Sequence, residues 1–436
     1  MKRRIALAAA LVTLLPLAAL RAQPAPREPA RLAAERVPTS LAPEAFRLRR
    51  ERLMKQLGPG VAVLYSKGEE DRDGFKSDPS FYYLTGVDEE GAILVLAPGE
   101  RVYREVLLLR SVDPEAERWV GLRGLIGDSL RRALGFDAIQ RLSALDAVLL
   151  RDLAHQPTLH MIAGPVATGA PLPPESDLYT KLQARNPGLA VRNFQGAIAA
   201  MRQVKEPAEL ARMEKAIAVT IAAQRAAARA IRAGAEENWV AGLIDLEYRR
   251  GGVTRPAFPS IVGSGLNSCI LHYPSHDHTI EDGALVVVDI GAEYDHYAAD
   301  ITRTYPASGR FTPEQRAIYE LVLRVQNACI ERVKPGAFYE DIHRLAEQMF
   351  REAGYRDDFI HGLGHWVGLE VHDAGDRGRA LEPGMVLTIE PGLYLISRKL
   401  GVRIEDEVLV TKNGHRLLTE ALPRNPDDIE RMMRGE

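Results

Sequence analysis

Two aspartates occupy a segment whose other residues are typical of a buried β-hairpin. Asp289 follows the apolar run 284–288, and Asp300 directly precedes a return strand through Ile301. An unpaired carboxylate at a buried strand position costs several kcal/mol. Asp289 therefore requires a cation, which is either a structural ion-pair partner such as Arg303 or a metal ion. The segment alone leaves both alternatives open.

Two further carboxylates lie in or at the end of apolar strand patterns. Glu390 ends the run 385–389, and Glu405 precedes the run 408–410. Together with Asp289 and Asp300 they make four carboxylates, and a histidine-rich block at 361–373 lies between them in the sequence. Arginines could neutralise two of the four, whereas a pair of divalent cations would neutralise all of them.

Oxygen-rich ligation with one imidazole suits Mn²⁺, Co²⁺, Fe²⁺ or Zn²⁺. Two such ions about 3.5–4 Å apart form a hydrolytic site, because they lower the pKa of a shared water and polarise a substrate carbonyl. This chemistry needs neither a serine nor a cysteine nucleophile. The two cysteines, Cys269 and Cys329, form no Cys-x-x-Cys pattern, and two free buried thiols are the favoured interpretation.

Composition places the chain among ordinary globular proteins. It has 436 residues, of which 46% are hydrophobic and 26% charged, and the length suits two domains better than one. A net charge of −3 gives no bulk electrostatic case for nucleic acid or acidic lipid as a partner.

The N-terminus has the layout of a signal peptide. Lys2, Arg3 and Arg4 precede an uncharged apolar run, 5–20, and a linker rich in proline, alanine and arginine follows. The run is shorter than the roughly 20 residues of a spanning helix, and Pro16 interrupts it. We therefore predict a signal peptide at 1–23, a linker at 24–38, export to the periplasm or medium, and no stable membrane anchor after cleavage.

The elements that must position the candidate residues fall into two predicted domains. In residues 39–198, apolar segments such as 61–65, 81–85 and 106–109 alternate with helical stretches, as in α/β proteins. In residues 199–436, helices are predicted at 207–232, 236–250, from a capping box at 312–315, and at 339–353. Strands and loops are predicted from 359 onward. The fold class is α+β.

Four motifs follow one another along the chain: VVVDIGAEYDHYAADITRT, HGLGHWVGLEVHD, TIEPGLY and VRIEDEVLVT. Together they resemble the Xaa-Pro aminopeptidase and prolidase family, the dinuclear metallopeptidases of the pita-bread fold. The similarity runs from Lys205 to about Met433, and the segment Phe81–Gly86 resembles part of the family's smaller N-terminal domain. This resemblance implies a C-terminal pita-bread catalytic domain preceded by a smaller α/β domain.

The resemblance also implies a role for each matching residue. Metal ligands would be Asp289, Asp300, His365, Glu390 and Glu405. Glu390 would in addition orient the metal-bridging water, or take the proton from it so that hydroxide attacks. His272 and His372 would contact the substrate and stabilise the tetrahedral intermediate. His361 and Arg403 would line the proline pocket or support it, although His361 and His272 could instead be structural hydrogen-bonding residues.

The implied activity is a metal-dependent exopeptidase that releases the N-terminal residue from peptides with proline in second position. The tail 422–430 and the histidine block resemble the aminopeptidase P subgroup more than prolidases, which are restricted to Xaa-Pro dipeptides. A non-catalytic binding protein on the same fold is a remote alternative, because such a relative would be expected to have lost Asp300 or Glu405. Two divalent ions, with manganese as the family expectation, and a homodimer or homotetramer are also implied.

Overall fold

The computed structural model describes residues 41–71, 74–111, 113–120, 126–162, 167–171 and 174–436. The predicted signal peptide and linker lie outside the described residues. Within this part of the chain, no helix has both the length and the apolar character needed to cross a membrane.

The N-terminal part is built on a six-stranded mixed sheet with the order β6-β5-β4-β1-β7-β8. Strand β1 pairs antiparallel with β4 and parallel with β7, so helices are needed to return the chain between parallel neighbours. The remaining strands, β2 and β3, form a separate hairpin. The strands are β1 (Val61–Tyr65), β2 (Gly68–Asp71), β3 (Gly74–Ser77), β4 (Ile93–Leu96), β5 (Glu105–Leu109), β6 (Ala138–Arg141), β7 (Thr158–Met161) and β8 (Ala190–Asn193).

Helices cover this sheet and connect it to the second domain. They are α1 (Pro43–Leu57), α2 (Pro79–Thr85), α3 (Pro114–Val120), α4 (Asp128–Leu134), α5 (Leu145–His155), α6 (Pro174–Arg185) and α7 (Gln195–Gln203). The predicted boundary between residues 198 and 199 falls inside α7, and the chain turns into the next helix at 204–206.

The apolar segment 81–85, expected to alternate with the helical stretches, is itself helical. The Asp78 side chain accepts hydrogen bonds from the backbone N–H groups of Ser80 and Phe81, and Pro79 occupies the first turn. Gly86 ends the helix at φ 65°. A short apolar run fits a strand and a buried helix equally well, and here the flanking cap residues decide for the helix.

The C-terminal part packs helices against small antiparallel sheets. Its helices are α8 (Pro207–Ala230), α9 (Glu237–Arg250), α10 (Pro313–Ile330), α11 (Tyr339–Glu352) and α12 (Pro426–Met433). The sheets have the orders β10-β11-β14, β13-β12-β9, β15-β18-β19 and β16-β17. Their strands are β9 (Arg255–Pro256), β10 (Ile261–Ser264), β11 (Leu285–Ile290), β12 (Ala292–Tyr294), β13 (Tyr297–Ala298), β14 (Ile301–Pro306), β15 (Val386–Ile389), β16 (Gly392–Leu395), β17 (Leu400–Arg403), β18 (Asp406–Thr411) and β19 (Gly414–Leu417).

The predicted α+β class is confirmed, with one helix missed. Residues from 359 onward were predicted as strands and loops, but α12 forms near the end of the chain. Asn425 caps it by accepting from the N–H of Asp427, Pro426 occupies its first turn, and Ile429 is fully buried against the core. The apolar periodicity of this short helix is too brief to predict it without that tertiary contact.

The hairpin predicted around Asp289 and Asp300 is present in two tiers. Strands β11 and β14 pair with Asp289 opposite Thr302, while β12 and β13 continue the ribbon outward. The turn residues Asp295 and His296 have φ of 54° and 70°, the left-handed backbone that two-residue hairpin turns require. Asp289, within β11, and Asp300, directly before β14, are therefore held in place by the pairing of these two strands.

Candidate active site

The predicted site residues all line one cavity of about 930 Å³. They are His272, Asp289, Asp300, His361, His365, His372, Glu390, Arg403 and Glu405. They come from separate elements of the C-terminal part, so the antiparallel sheets must bring the ends of several strands together.

Strand ends carry the four carboxylates into this cavity. Asp289 lies on β11, Asp300 precedes β14, Glu390 follows β15, and Glu405 lies between β17 and β18. Thr302 connects the two halves: its Oγ1 donates to Glu405 Oε2 at 2.7 Å, and its carbonyl accepts from the Glu405 N–H at 3.0 Å. Sequence reasoning did not single out Thr302, which fixes the orientation of the Glu405 carboxylate.

Asp300, His365 and Glu405 form a group with the spacing of a metal site. Each offers one ligand atom, and these atoms lie within 4.8 Å of one another. His365 Nε2 lies 3.4 Å from Asp300 Oδ2 and 3.4 Å from Glu390 Oε1. His365 Nδ1 is 3.1 Å from the Trp366 carbonyl, which can only accept, so Nδ1 carries the proton and the Nε2 lone pair faces the carboxylates.

The polar atoms of this cluster fit divalent cations. Asp289 Oδ1, Asp300 Oδ1 and Glu405 Oε1 are buried and have no hydrogen-bond donor among the described protein residues. Burial, reinforced by the neighbouring carboxylates, raises the pKa of Asp300 and of Glu405 well above the usual range. Buried carboxylates that repel one another and lack donors are the arrangement that a pair of cations neutralises.

Asp289 has an arginine partner, but it is not Arg303. Arg403 Nη2 donates to Asp289 Oδ2 at 2.7 Å, whereas Arg303 is fully buried and pairs with Asp406 at 2.7 Å. The alternative of an Asp289–Arg303 pair is therefore wrong. Because Asp289 Oδ1 stays unpartnered, the ion pair and a metal contact are compatible.

A hydrogen-bonded chain joins Arg403 to His361. Arg403 Nη1 donates to the Tyr394 hydroxyl at 2.8 Å, and that hydroxyl lies 2.9 Å from His361 Nε2. His361 Nδ1 is 2.7 Å from the Gly362 carbonyl and must carry the proton, so the Tyr394 O–H donates to Nε2. Burial and the Arg403 charge lower the pKa of His361 to about 4. Tyr394 was missed although it ends the TIEPGLY motif.

His372 and His272 lie at the cavity wall beside the cluster. The rings of His365 and His372 meet edge to face, with centroids 4.2 Å apart. Burial, with His272 and Arg377 nearby, lowers the pKa of His372 below its ordinary value. The imidazole of His372 is therefore neutral at neutral pH and retains one N–H that it can donate.

The N-terminal domain of the same chain also reaches the cavity. Lys76 on β3 lines it and forms an ion pair with Glu293 on β12. At the hairpin turn, His296 stacks on Tyr82 with ring centroids 3.6 Å apart and contacts Asp88 at 2.7 Å. Sequence reasoning missed these contacts, which tie the hairpin between Asp289 and Asp300 to the first domain.

Comparison with protein-family models identifies both halves of the chain. The model described as metallopeptidase family M24 matches residues 211–412, and the model of the aminopeptidase P N-terminal domain matches residues 46–160. The Xaa-Pro aminopeptidase of Haemophilus influenzae is 34% identical over 426 residues, covering 89% of this chain and 97% of that protein. The chain belongs to metallopeptidase family M24.

A solved aminopeptidase P structure is similar over both domains. Aminopeptidase P from Escherichia coli, determined with the inhibitor Pro-Leu, has 32% sequence identity and a TM-score of 0.81, covering 91% of this chain and 99% of that one. The predicted family and its pita-bread catalytic domain with a smaller N-terminal domain are confirmed. The Xaa-Pro dipeptidase of Pyrococcus furiosus is 42% identical over 224 residues, but this match covers only 50% of the present chain.

Membership of M24 makes the protein a hydrolase and implies divalent metal ions at the cluster. The prediction of an enzyme is thereby confirmed, while the identity of the metal stays a prediction.

Removing the ions by chelation is expected to make the stability of this M24 peptidase decrease with increasing pH. Burial raises the pKa of Glu390 from 4.5 to about 8 in the folded chain without metal. The stability that its protonated form contributes is fully present below pH 4.5 and is lost as the pH rises through about 8. Thermal unfolding of chelated and metal-loaded protein across this range measures the difference.

Glu390→Gln is the matched control for that experiment. Its chelated form should show a shallower loss of stability with pH, since one of the buried carboxylates with a raised pKa is gone while Asp300 and Glu405 remain. Equal slopes for the chelated wild type and the variant would contradict the assignment of this dependence to Glu390.

Proposed function

We propose that this M24 enzyme is an exopeptidase that removes the N-terminal residue from peptides whose second residue is proline. The observation that carries the proposal is the convergence of four strand-end carboxylates and His365 beside His272, His361 and His372 in one cavity. Two relatives that cover most of the chain, from Haemophilus influenzae and Escherichia coli, are themselves Xaa-Pro aminopeptidases.

Asp289, Asp300, His365, Glu390 and Glu405 would hold the two ions. Bound there, divalent ions supply an acidified water and Lewis-acid polarisation of the scissile carbonyl. We propose manganese as the native metal, with cobalt, zinc or iron as alternatives, because four carboxylates and one imidazole form a hard-to-borderline donor set. Metal analysis of protein purified without added metal tests this choice.

Side chains of the protein would carry out proton transfer and stabilise the negative charge that develops on the substrate. Glu390, next to His365 at 3.4 Å, orients the attacking water and accepts its proton on a carboxylate oxygen. The N–H groups of His272 and His372 donate to the carbonyl oxygen as negative charge develops there. Because the His372 imidazole is neutral, it can donate a hydrogen bond without placing a further positive charge beside the residues that would hold the metal ions.

Selection of proline follows from what an Xaa-Pro bond lacks. Its nitrogen carries no hydrogen and its ring fixes φ, so a pocket must recognise ring shape instead of an amide N–H. Hydrogen bonds through Tyr394 fix the positions of Arg403 and His361, and these two residues line the cavity. We propose that this rigid wall receives the proline ring.

A side-by-side product assay separates the aminopeptidase from the prolidase alternative. Protein stripped of metal and refilled with manganese is given an Xaa-Pro dipeptide, an Xaa-Pro-Yaa tripeptide and an Xaa-Ala-Yaa control. Metal-dependent release of Xaa from the tripeptide, with the control untouched, is expected. Cleavage of the dipeptide alone would favour the prolidase, whose matching relative covers half of this chain. Cleavage of the alanine control at an equal rate would contradict proline specificity.

Export and assembly are proposals that rest on the N-terminal sequence and on the family. We propose cleavage of the signal peptide near residue 23 and a periplasmic or secreted mature enzyme. N-terminal sequencing of protein recovered from cell fractions tests this. We also propose a homodimer or homotetramer, which light scattering of the mature protein distinguishes from a monomer.

A further inference from the structure

Asp373, the residue after His372, is buried between two cations. Lys205 Nζ donates to Asp373 Oδ2 at 2.8 Å, and Arg202 Nη2 donates to Oδ1. The side chains of Asp373 and Lys205 are each 1% exposed and that of Arg202 5%, so solvent screens these contacts little. Burial would raise the pKa of Asp373, but Lys205 and Arg202 together lower it below the ordinary value.

Both cations come from the segment that joins the two domains. Arg202 lies in the last turn of α7, and Lys205 lies between α7 and α8. The backbone N–H of Lys205 donates to the Gly384 carbonyl at 2.8 Å, just before β15. Arg202 and Lys205 are therefore held by the interdomain segment, and the Lys205 backbone is bonded next to β15, the strand that leads to Glu390.

The loop that carries His372 is packed directly on this ion pair. The Asp373 N–H donates to the Trp366 carbonyl at 2.8 Å, and Arg202 also donates to Glu370 at 2.5 Å, so the loop is held on both sides of His372. A Cβ at Gly368 would overlap Asp373 Oδ2 and lie 2.9 Å from Lys205 Nζ. Only glycine at that position lets the loop approach so closely.

We propose that Asp373, held by Lys205 and Arg202, is the positioning residue that fixes His372 over the metal cluster and couples the interdomain segment to turnover. Asp373 also borders the cavity, but Arg202 and Lys205 each donate to one of its carboxylate oxygens, so its role is to act through the neighbouring histidine. This inference rests on the proposed role of His372. It predicts that loosening the anchor lowers kcat without removing metal, because a displacement of about 1 Å in a catalytic group can cost about 100-fold in rate.

The test compares Asp373→Asn with wild type in kcat, KM, metal content and Tm. We expect kcat to decrease by about 10- to 100-fold, with KM and metal content unchanged. Lys205→Met, which leaves the Arg202 contact in place, should show a smaller loss of kcat and serves if Asp373→Asn does not fold.

Glu105→Gln is the matched control. Glu105 is also a buried carboxylate, paired with the fully buried Arg50 at 2.7 Å, but it lies in the N-terminal sheet away from the cavity. It should lower Tm without lowering kcat. If Asp373→Asn lowers only Tm, as the control does, the positioning role is refuted while the proposed function stands. His372→Ala is measured in parallel, and full activity of that variant would overturn both the positioning role and the proposed role of His372.

Discussion

Replacing Glu405 with alanine is expected to abolish peptide hydrolysis and lower the metal content while leaving a folded chain. Glu405 is 1% exposed, lies in the group with Asp300 and His365, and has one oxygen without a donor in the described protein. Loss of metal-based transition-state stabilisation, worth several kcal/mol, corresponds to a decrease in turnover of about 1000-fold or more.

The fold should survive because Glu405 interacts most strongly with other carboxylates, Glu390 and Asp289, and less strongly with Arg403. Burial and, after it, the charge of Glu405 raise the pKa of Asp300, so the two carboxylates repel each other when metal is absent. Removal of Glu405 thus relieves repulsion, at the expense of the hydrogen bond from Thr302. Circular dichroism, metal analysis and the tripeptide assay measure fold, binding and turnover on the same preparation.

Glu105→Ala is the control for Glu405→Ala, since it truncates a buried glutamate outside the cavity. It should keep both metal and activity in whatever fraction remains folded. Retained turnover in Glu405→Ala would show that the dinuclear assignment is wrong.

Replacing His372 with alanine is expected to reduce turnover strongly while leaving the metal content unchanged. A positioned hydrogen-bond or proton-transfer group typically contributes about 100- to 10,000-fold. The His372 ring packs edge to face on His365, which is the imidazole whose Nε2 faces Asp300 and Glu390. His372 therefore borders the cluster and leaves the predicted ligand set complete when it is removed.

His415→Ala controls for loss of a partly buried histidine elsewhere. His415 Nδ1 is 3.1 Å from the Val333 carbonyl, and the residue does not line the cavity. Its replacement should leave turnover unchanged. If metal were lost from His372→Ala, His372 would be a ligand and the proposed division between ligands and substrate contacts would be wrong.

Much of the candidate site could be predicted from local sequence patterns. Carboxylates at strand ends, such as Glu390 after an apolar run, are visible because burial of an unpaired charge is costly. The capping box at Thr312 and Gln315 likewise fixed the start of α10, since its hydrogen bonds join residues close in the chain. The predicted site residues consequently share one cavity in the folded chain.

Contacts between distant segments could not be predicted in this way. Tyr394 between Arg403 and His361, and Lys205 beside Asp373, are side-chain contacts across elements far apart in the sequence. The residue type at Tyr394 or Lys205 does not indicate its hydrogen-bond partner, because many polar residues elsewhere in the sequence could serve as that partner. Phe81–Thr85 shows that local patterns can also be ambiguous, because its short apolar run is compatible with both a strand and a helix.

The sequence by itself determined which residues could hold metal and that a hairpin would carry two of them. Only the tertiary structure decided which arginine neutralises Asp289. Successive residues of a strand point to opposite faces. Thr302 therefore faces Glu405, while its neighbour Arg303 faces Asp406 on the other side. The pairing of β11 with β14, and the packing of β17 beside them, places Arg403 within hydrogen-bonding distance of Asp289.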